Sequence, residues 1–126
     1  MPCRAKILLV DDDPAVRASL AFSLELEGFA VETFSCAEEL VARSDLPDTG
    51  CLLLEYRLPG IDGLTLLKTL RARGVALPAI LIAFAPSRRL KLRVSEAGAV
   101  IVEKPLLCDA LTAAVRAALS EQAEAA

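Results

Sequence analysis

The sequence predicts an α/β fold, a doubly wound five-stranded parallel sheet of order 2-1-3-4-5 with helices on both faces. Four short apolar runs, Ile7–Val10, Cys51–Leu54, Ile80–Ile82 and Ala99–Val102, are nearly continuous rather than alternating, as strands covered on both faces are. Helical stretches separate them, and strand–helix–strand repetition implies parallel strands with right-handed crossovers. With 126 residues, 55% of them hydrophobic, the chain can fill one core. Residues 1–126 are expected to form a single domain, structured over residues 5–120 and ending in a tail at 121–126.

Each element has its own punctuation. After the first strand, Asp12 or Asp13 can cap a helix that opens at Pro14 and stops before Gly28. Phe29–Phe34 alternates, with Phe29, Val31 and Thr33 against Ala30, Glu32 and Phe34, as an edge strand does. Ser35-Cys36-Ala37-Glu38 has capping-box spacing for the second helix. The third helix is expected over Gly63–Ala72, the fourth over Arg88–Ala97 with Ser87 as its cap, and the fifth over Cys108–Ser120. In the fifth, Leu111, Ala114, Val115, Ala118 and Leu119 recur at helical spacing and predict one buried face. Five strands alternating with five helices fit the flavodoxin-like order, in which ligands bind beyond the carboxyl ends of the strands.

Composition removes several functions. A net charge of −3 argues against direct nucleic-acid binding through general positive charge. No apolar run approaches the roughly 18 residues that span a bilayer, and no charged-then-apolar leader is visible, so the expectation is a cytoplasmic protein without a membrane segment. Cys3, Cys36, Cys51 and Cys108 lack C-x-x-C spacing, which suggests neither a zinc site nor a redox pair. Histidine is absent, so there is no phosphohistidine relay and no histidine general base.

The chemistry-bearing residues fall at strand ends. Asp11-Asp12-Asp13 follows the first strand, Glu55 ends the third and Lys104-Pro105 ends the fifth. The first loop has no glycine and carries acid, so it repels a phosphate unless a cation intervenes. Clustered carboxylates suit Mg²⁺, which takes one or two protein carboxylates and keeps several waters. Asp13 is better explained as a helix cap, while Asp11, Asp12 and Glu55 are expected to gather. Each like-charge pair at about 4 Å costs roughly 4 kcal/mol at an effective dielectric near 20, so Lys104 or a metal ion must offset the cluster.

Val10-Asp11-Asp12-Asp13-Pro14, Leu58-Pro59-Gly60-Ile61-Asp62-Gly63-Leu64 and Glu103-Lys104-Pro105 together resemble the receiver domain of two-component response regulators, with FixJ-like receivers nearest. The resemblance covers nearly the whole chain. It implies that Asp11 and Asp12, with the carboxylate at position 55 and the backbone carbonyl of Arg57, organise Mg²⁺, and that Lys104 contacts phosphoryl oxygens. Three positions depart from the pattern. Glu55 stands where the family has the phosphoacceptor aspartate, Ala83 where a hydroxyl ends the fourth strand, and Ile101 where an aromatic switches. Phe84 is a candidate substitute aromatic, though loop packing is the plainer expectation for it.

A glutamate carries its carboxylate about 1.5 Å further than an aspartate, and a misplacement of about 1 Å can cost some hundredfold in a positioned reaction. Ala83 offers no donor and Ile101 no ring. The expectation is therefore an atypical, phosphorylation-independent receiver that acts as a protein-binding signalling module and not as an enzyme. Its partner surface is expected at the fourth helix, fifth strand and fifth helix, where Arg88, Arg89, Lys91, Leu92 and Arg93 lie and where a homodimer could also form. The alternatives are a receiver still weakly phosphorylated in the Asp11/Asp12/Glu55 site and, remotely, a phosphatase of the haloacid dehalogenase type. Asp11-x-Asp13 suggests the latter, but Ala15 stands where that family wants Thr or Val.

Overall fold

The structure, a computed structural model, describes residues 5–104 and 108–125, apart from the side chains of 108–110 and 123–125. Cys3, Pro105, Ala126 and the side chain of Cys108 lie outside the described residues. Ten elements alternate: β1 (Lys6–Val10), α1 (Pro14–Leu26), β2 (Ala30–Phe34), α2 (Ala37–Val41), β3 (Cys51–Glu55), α3 (Gly63–Ala72), β4 (Ala79–Phe84), α4 (Arg88–Glu96), β5 (Val100–Lys104) and α5 (Cys108–Ala125). The sheet order is β2-β1-β3-β4-β5 and every pairing is parallel, as expected.

Period-two alternation splits each apolar run between two cores. Leu8, Val10, Leu52, Leu54, Leu81 and Ala83 pack with the helices α2, α3 and α4. Ile7, Leu9, Cys51, Leu53, Ile80 and Ile82 pack with α1 and α5 through Leu24, Leu111, Val115 and Ala118. The run in β5 is different: Val100 and Glu103 are exposed. It was expected to be covered on both faces, but β5 is the second sheet edge and has one strand neighbour.

Caps set the helix starts. Asp13 Oδ1 accepts from the N–H groups of Ala15 and Val16 at 2.9 and 3.3 Å, Asp62 Oδ1 from Thr65 N at 2.7 Å, and Ser87 Oγ from Leu90 N at 3.0 Å. The capping box expected at Ser35–Glu38 does not form. Helix α2 begins one residue later, with Cys36 at its cap making no side-chain cap bond, and the Ser35 hydroxyl is taken up by Glu39 instead. The expected tail is also corrected, since α5 continues through Ala125. Glu121-Gln122-Ala123-Glu124-Ala125 is rich in strong helix formers, and Gln122 ties this turn to the loop before β3. Its Oε1 accepts from Gly50 N at 3.1 Å and its Nε2 donates to Asp48 O at 3.3 Å.

One glycine is fixed by close approach at the site. Gly63 opens α3 and donates its N–H to Tyr56 O at 2.8 Å, and a Cβ there would lie 2.4 Å from Glu55 O. Gly63→Ala is expected to force the β3–α3 loop outward and to lower stability by about 2 kcal/mol, as overpacking does. Urea unfolding of the variant against wild type measures this.

Candidate functional site

Parallel strands bring their carboxyl ends to one edge, so Val10, Glu55 and Lys104 end side by side. Asp11 prolongs β1 by one residue, its N–H donating to Phe34 O at 3.2 Å. The pleat turns its side chain inward. Asp11 is 2% exposed and Glu55 5%, the buried charged side chains among the described residues.

Lys104 reaches them from β5. Its Nζ lies 2.7 Å from Glu55 Oε2, across the end of β4, which separates β3 from β5. Two strand spacings are about 9–10 Å, so two long side chains are needed to close the gap. Between them β4 presents Ala83, whose side chain is a methyl. The contact is an ion pair off the hydrogen-bond direction, and Oε2 has no aligned donor; neither has Asp11 Oδ2.

The loop after β1 is held from below. Asp11 Oδ1 accepts from Asp13 N at 2.9 Å and Arg17 Nη1 donates to Asp11 O at 2.7 Å. Arg17 did not emerge from the sequence as a site residue. Its signal was available, since it is the sole charge between Pro14 and Leu24 and lies one turn into α1.

Burial pushes the Asp11 carboxyl up, the Asp13 main-chain N–H and then Lys104 pull it down, and Asp12 and Asp13 push it up again. Burial also pushes Glu55 up; Lys104 and the backbone at Arg57 pull it down and Asp11 raises it. In both cases burial is the largest influence, and the carboxyl stays above its ordinary value.

The expected three-carboxylate cluster is not assembled. Asp11 and Glu55 meet, but Asp12 is exposed because the next residue along an extended chain turns to the opposite side. Among the described residues no group of three or more His, Cys, Asp or Glu is placed to hold a metal ion. Asp13 is a cap, as expected, and Arg57 is exposed in the loop after β3. Ala83 is buried, and Ile101 is half-buried opposite Leu81. Phe84 is 73% exposed at the end of β4, opposite Lys104. Loop packing is therefore the wrong account of it: among the described residues no element covers the ring.

Comparison with known proteins decides the family. The model for the response regulator receiver domain matches residues 7–116. The chain belongs to this family. It is 40% identical over 125 residues to the transcriptional regulatory protein FixJ of Azorhizobium caulinodans, covering 98% of this chain and 59% of that protein. It is 33% identical to FixJ of Bradyrhizobium diazoefficiens, covering 100% of this chain and 62% of the relative. The chain thus spans about three fifths of the length of these relatives. Among solved structures, the crystal structure of FixJ-N superimposes with a TM-score of 0.85 at 30% identity, covering 94% of this chain and 96% of that one. A CheY-like receiver from Methanospirillum hungatei JF-1 gives 0.87 at 28% identity, covering 98% and 100%. A receiver of two-component signalling is therefore the frame for the buried charges.

The lysine should matter most when both carboxyls are ionised. Lys104→Met leaves two buried carboxylates without their cation. Because Lys104 is 29% exposed, the loss at pH 7 is expected to be about 2 kcal/mol, below the 3–5 kcal/mol of a fully buried pair. Removing the lysine raises the folded-state values of Asp11 and Glu55 further above their unfolded values. Stability of the variant therefore falls as pH rises from the ordinary carboxylate range, and its deficit disappears in acid, where both groups are protonated. Chemical unfolding of both proteins from pH 3.5 to 8 follows this difference.

Proposed function

We propose that this receiver works without regulated phosphorylation, as a protein-binding module whose phosphoacceptor position is occupied by Glu55. The observation that carries the reading is the 2.7 Å contact between Lys104 Nζ and Glu55 Oε2. The cation that would meet a phosphoryl group is already engaged by a carboxylate from within. One charge and two oxygens replace the roughly two charges and three oxygens of a phosphate, so the contact imitates the phosphorylated arrangement only in part. Ala83 and Ile101 support the same reading, since neither a hydroxyl nor a ring stands where a phosphoryl group could be sensed.

With no switch at the strand ends, function falls to a surface. Helix α4 carries Arg88, Arg89, Lys91 and Arg93 around an exposed Leu92, while Leu90 and Val94 are turned into the core. Lys91 is tied to Glu103 of β5 at 3.0 Å. Arg88 and Arg89 open the helix with no acid in the first turn. They face the positive end of the helix dipole, so an anionic partner group is favoured there. An acidic protein surface is the partner chemistry this face fits.

Small-molecule phosphodonor with Mg²⁺, followed by intact-mass measurement, tests the reading. Wild type is expected to remain unmodified, and the double variant Glu55→Asp with Ala83→Thr to gain a phosphoryl adduct. A stable wild-type adduct that Glu55→Gln abolishes would overturn the proposal.

The site retains donors that fit Mg²⁺. Among the described residues, Asp11 Oδ2 is buried without a hydrogen-bond partner and Glu55 Oε2 has only its ion pair with Lys104, and Asp12 and the Arg57 carbonyl complete the set that the family resemblance implies. A bound ion would supply charge neutralisation for the two carboxylates. At 100 times its dissociation constant, Mg²⁺ adds about 2.7 kcal/mol, on the order of 10 °C in melting temperature for a chain of this size. Thermal melts with and without millimolar Mg²⁺ are expected to show such a rise in wild type and none in Asp11→Asn. Equal melts in wild type would mean that Lys104 alone neutralises the pair.

A further inference from the structure

Asp62-Gly63 is the sole aspartyl-glycyl step in the sequence, and it falls where the β3–α3 loop turns into α3. The fold demands both residues. Asp62 caps the helix, its Oδ1 accepting from Thr65 N at 2.7 Å. Gly63 is buried against the end of β3, where a Cβ would lie 2.4 Å from Glu55 O. Together they carry a chemical liability. Glycine has no side chain to shield its amide nitrogen, and that nitrogen can close a five-membered ring on the carboxyl carbon of a preceding aspartate.

In the folded chain two hydrogen bonds hold the reacting atoms apart. Gly63 N–H is donated to Tyr56 O at 2.8 Å, and Thr65 N keeps the Asp62 carboxylate over the helix start. Ring closure requires both bonds to break. The chain leading into the turn is held unevenly: Leu58 and Ile61 pack against the core, while Pro59 and Gly60 between them are exposed. Local opening here does not require the sheet to unfold.

We propose that Asp62-Gly63 is a site of spontaneous covalent modification, at which opening of the first turn of α3 frees Gly63 N to attack Asp62 Cγ and isoaspartate forms. The N–Cγ bond forms as a Cγ–O bond breaks, and the amide proton leaves with the departing hydroxyl as water. The reacting carboxyl is the protonated one, so mildly acid conditions favour the step. Water then opens the succinimide. Addition at the side-chain carbonyl restores aspartate, whereas addition at the main-chain carbonyl leaves the chain running through the side chain as isoaspartate.

The consequence reaches the end of β3. Isoaspartate inserts one methylene, about 1.5 Å of chain, between residues 62 and 63. The Asp62 carbonyl, which accepts from Leu66 N at 2.9 Å, becomes a carboxylate, and the capping oxygen becomes part of the peptide link. Gly63 then loses its place on Tyr56 O, and α3 disengages from the Glu55 carbonyl. None of this depends on whether Glu55 accepts a phosphoryl group.

Ageing the full chain for weeks at mildly acid pH, folded and in guanidinium, tests this. The Asp62 peptide is separated by chromatography and fragmented by electron transfer, which distinguishes isoaspartate from aspartate. Folded wild type is expected to accumulate isoaspartate at position 62 ahead of every other aspartate, at about a tenth or less of the unfolded rate, the ratio being set by how often the turn opens. Asp62→Ser keeps a capping oxygen and should form no such product while melting near wild type. Asp62→Asn, which loses ammonia on ring closure, should convert faster than wild type. The isoaspartyl fraction, once separated, should melt lower and shift the amide signals of Tyr56 and Gly63. Absence of isoaspartate at position 62 in the folded chain, or equal rates in the folded and unfolded chains, would overturn the proposal.

Discussion

The ion pair between Glu55 and Lys104 is the constraint on which the strand-end architecture depends. A sheet whose central strands are apolar through Ile7–Val10, Cys51–Leu54 and Ile80–Ile82 places Asp11 and Glu55, both buried, at one edge, where burial disfavours the charged form of each and Lys104 opposes that effect. Lys104 comes from the outer strand β5, so the pair closes over β4 and couples β3 to an edge that has a single strand neighbour. The requirement extends to the main chain. Gly63 allows α3 to begin against the Glu55 carbonyl, and Arg17 with the Asp13 N–H fixes Asp11 beside it.

This arrangement separates holding a charge cluster from reporting its state. In the proposed reading the lysine is committed to Glu55, while Ala83 and Ile101 place neither a hydroxyl nor a ring at their positions in β4 and β5. What remains outside the cores is the basic turn of α4 in one helix layer and the exposed Phe22 and Leu26 of α1 in the other. Binding at either is compatible with a rigid sheet, because the side chains that anchor each helix belong to different cores.

Most of the fold was legible because the two periodicities were strong. Near-continuous runs at Ile7–Val10, Cys51–Leu54 and Ile80–Ile82 identified central strands, and Asp13, Ser87 and Gly28 marked helix ends where the structure has them. Composition could not distinguish an inner strand from the edge strand β5, whose exposed Val100 looks like core in sequence. It also could not place α2, a helix of Ala37–Val41 whose start is set by where β2 ends. At the site, Asp11, Glu55 and Lys104 were legible as strand ends on a shared edge. Asp12 is exposed and does not join the buried pair, because its direction depends on the pleat of β1 and not on its identity. Arg17 was missed because its role is a main-chain contact, and a residue type does not disclose whether it reaches a carbonyl.

The central claim, that Asp11, Glu55 and Lys104 are held together while their response is disconnected, is tested most directly by backbone amide chemical shifts on addition of beryllofluoride, a phosphoryl mimic, with Mg²⁺. The account predicts changes confined to the Asp11–Asp13 loop and the end of β3, where the ion itself would act. A concerted shift running through Phe84–Ser87, α4 and β5 would contradict it, because it would show that the site still drives the surface.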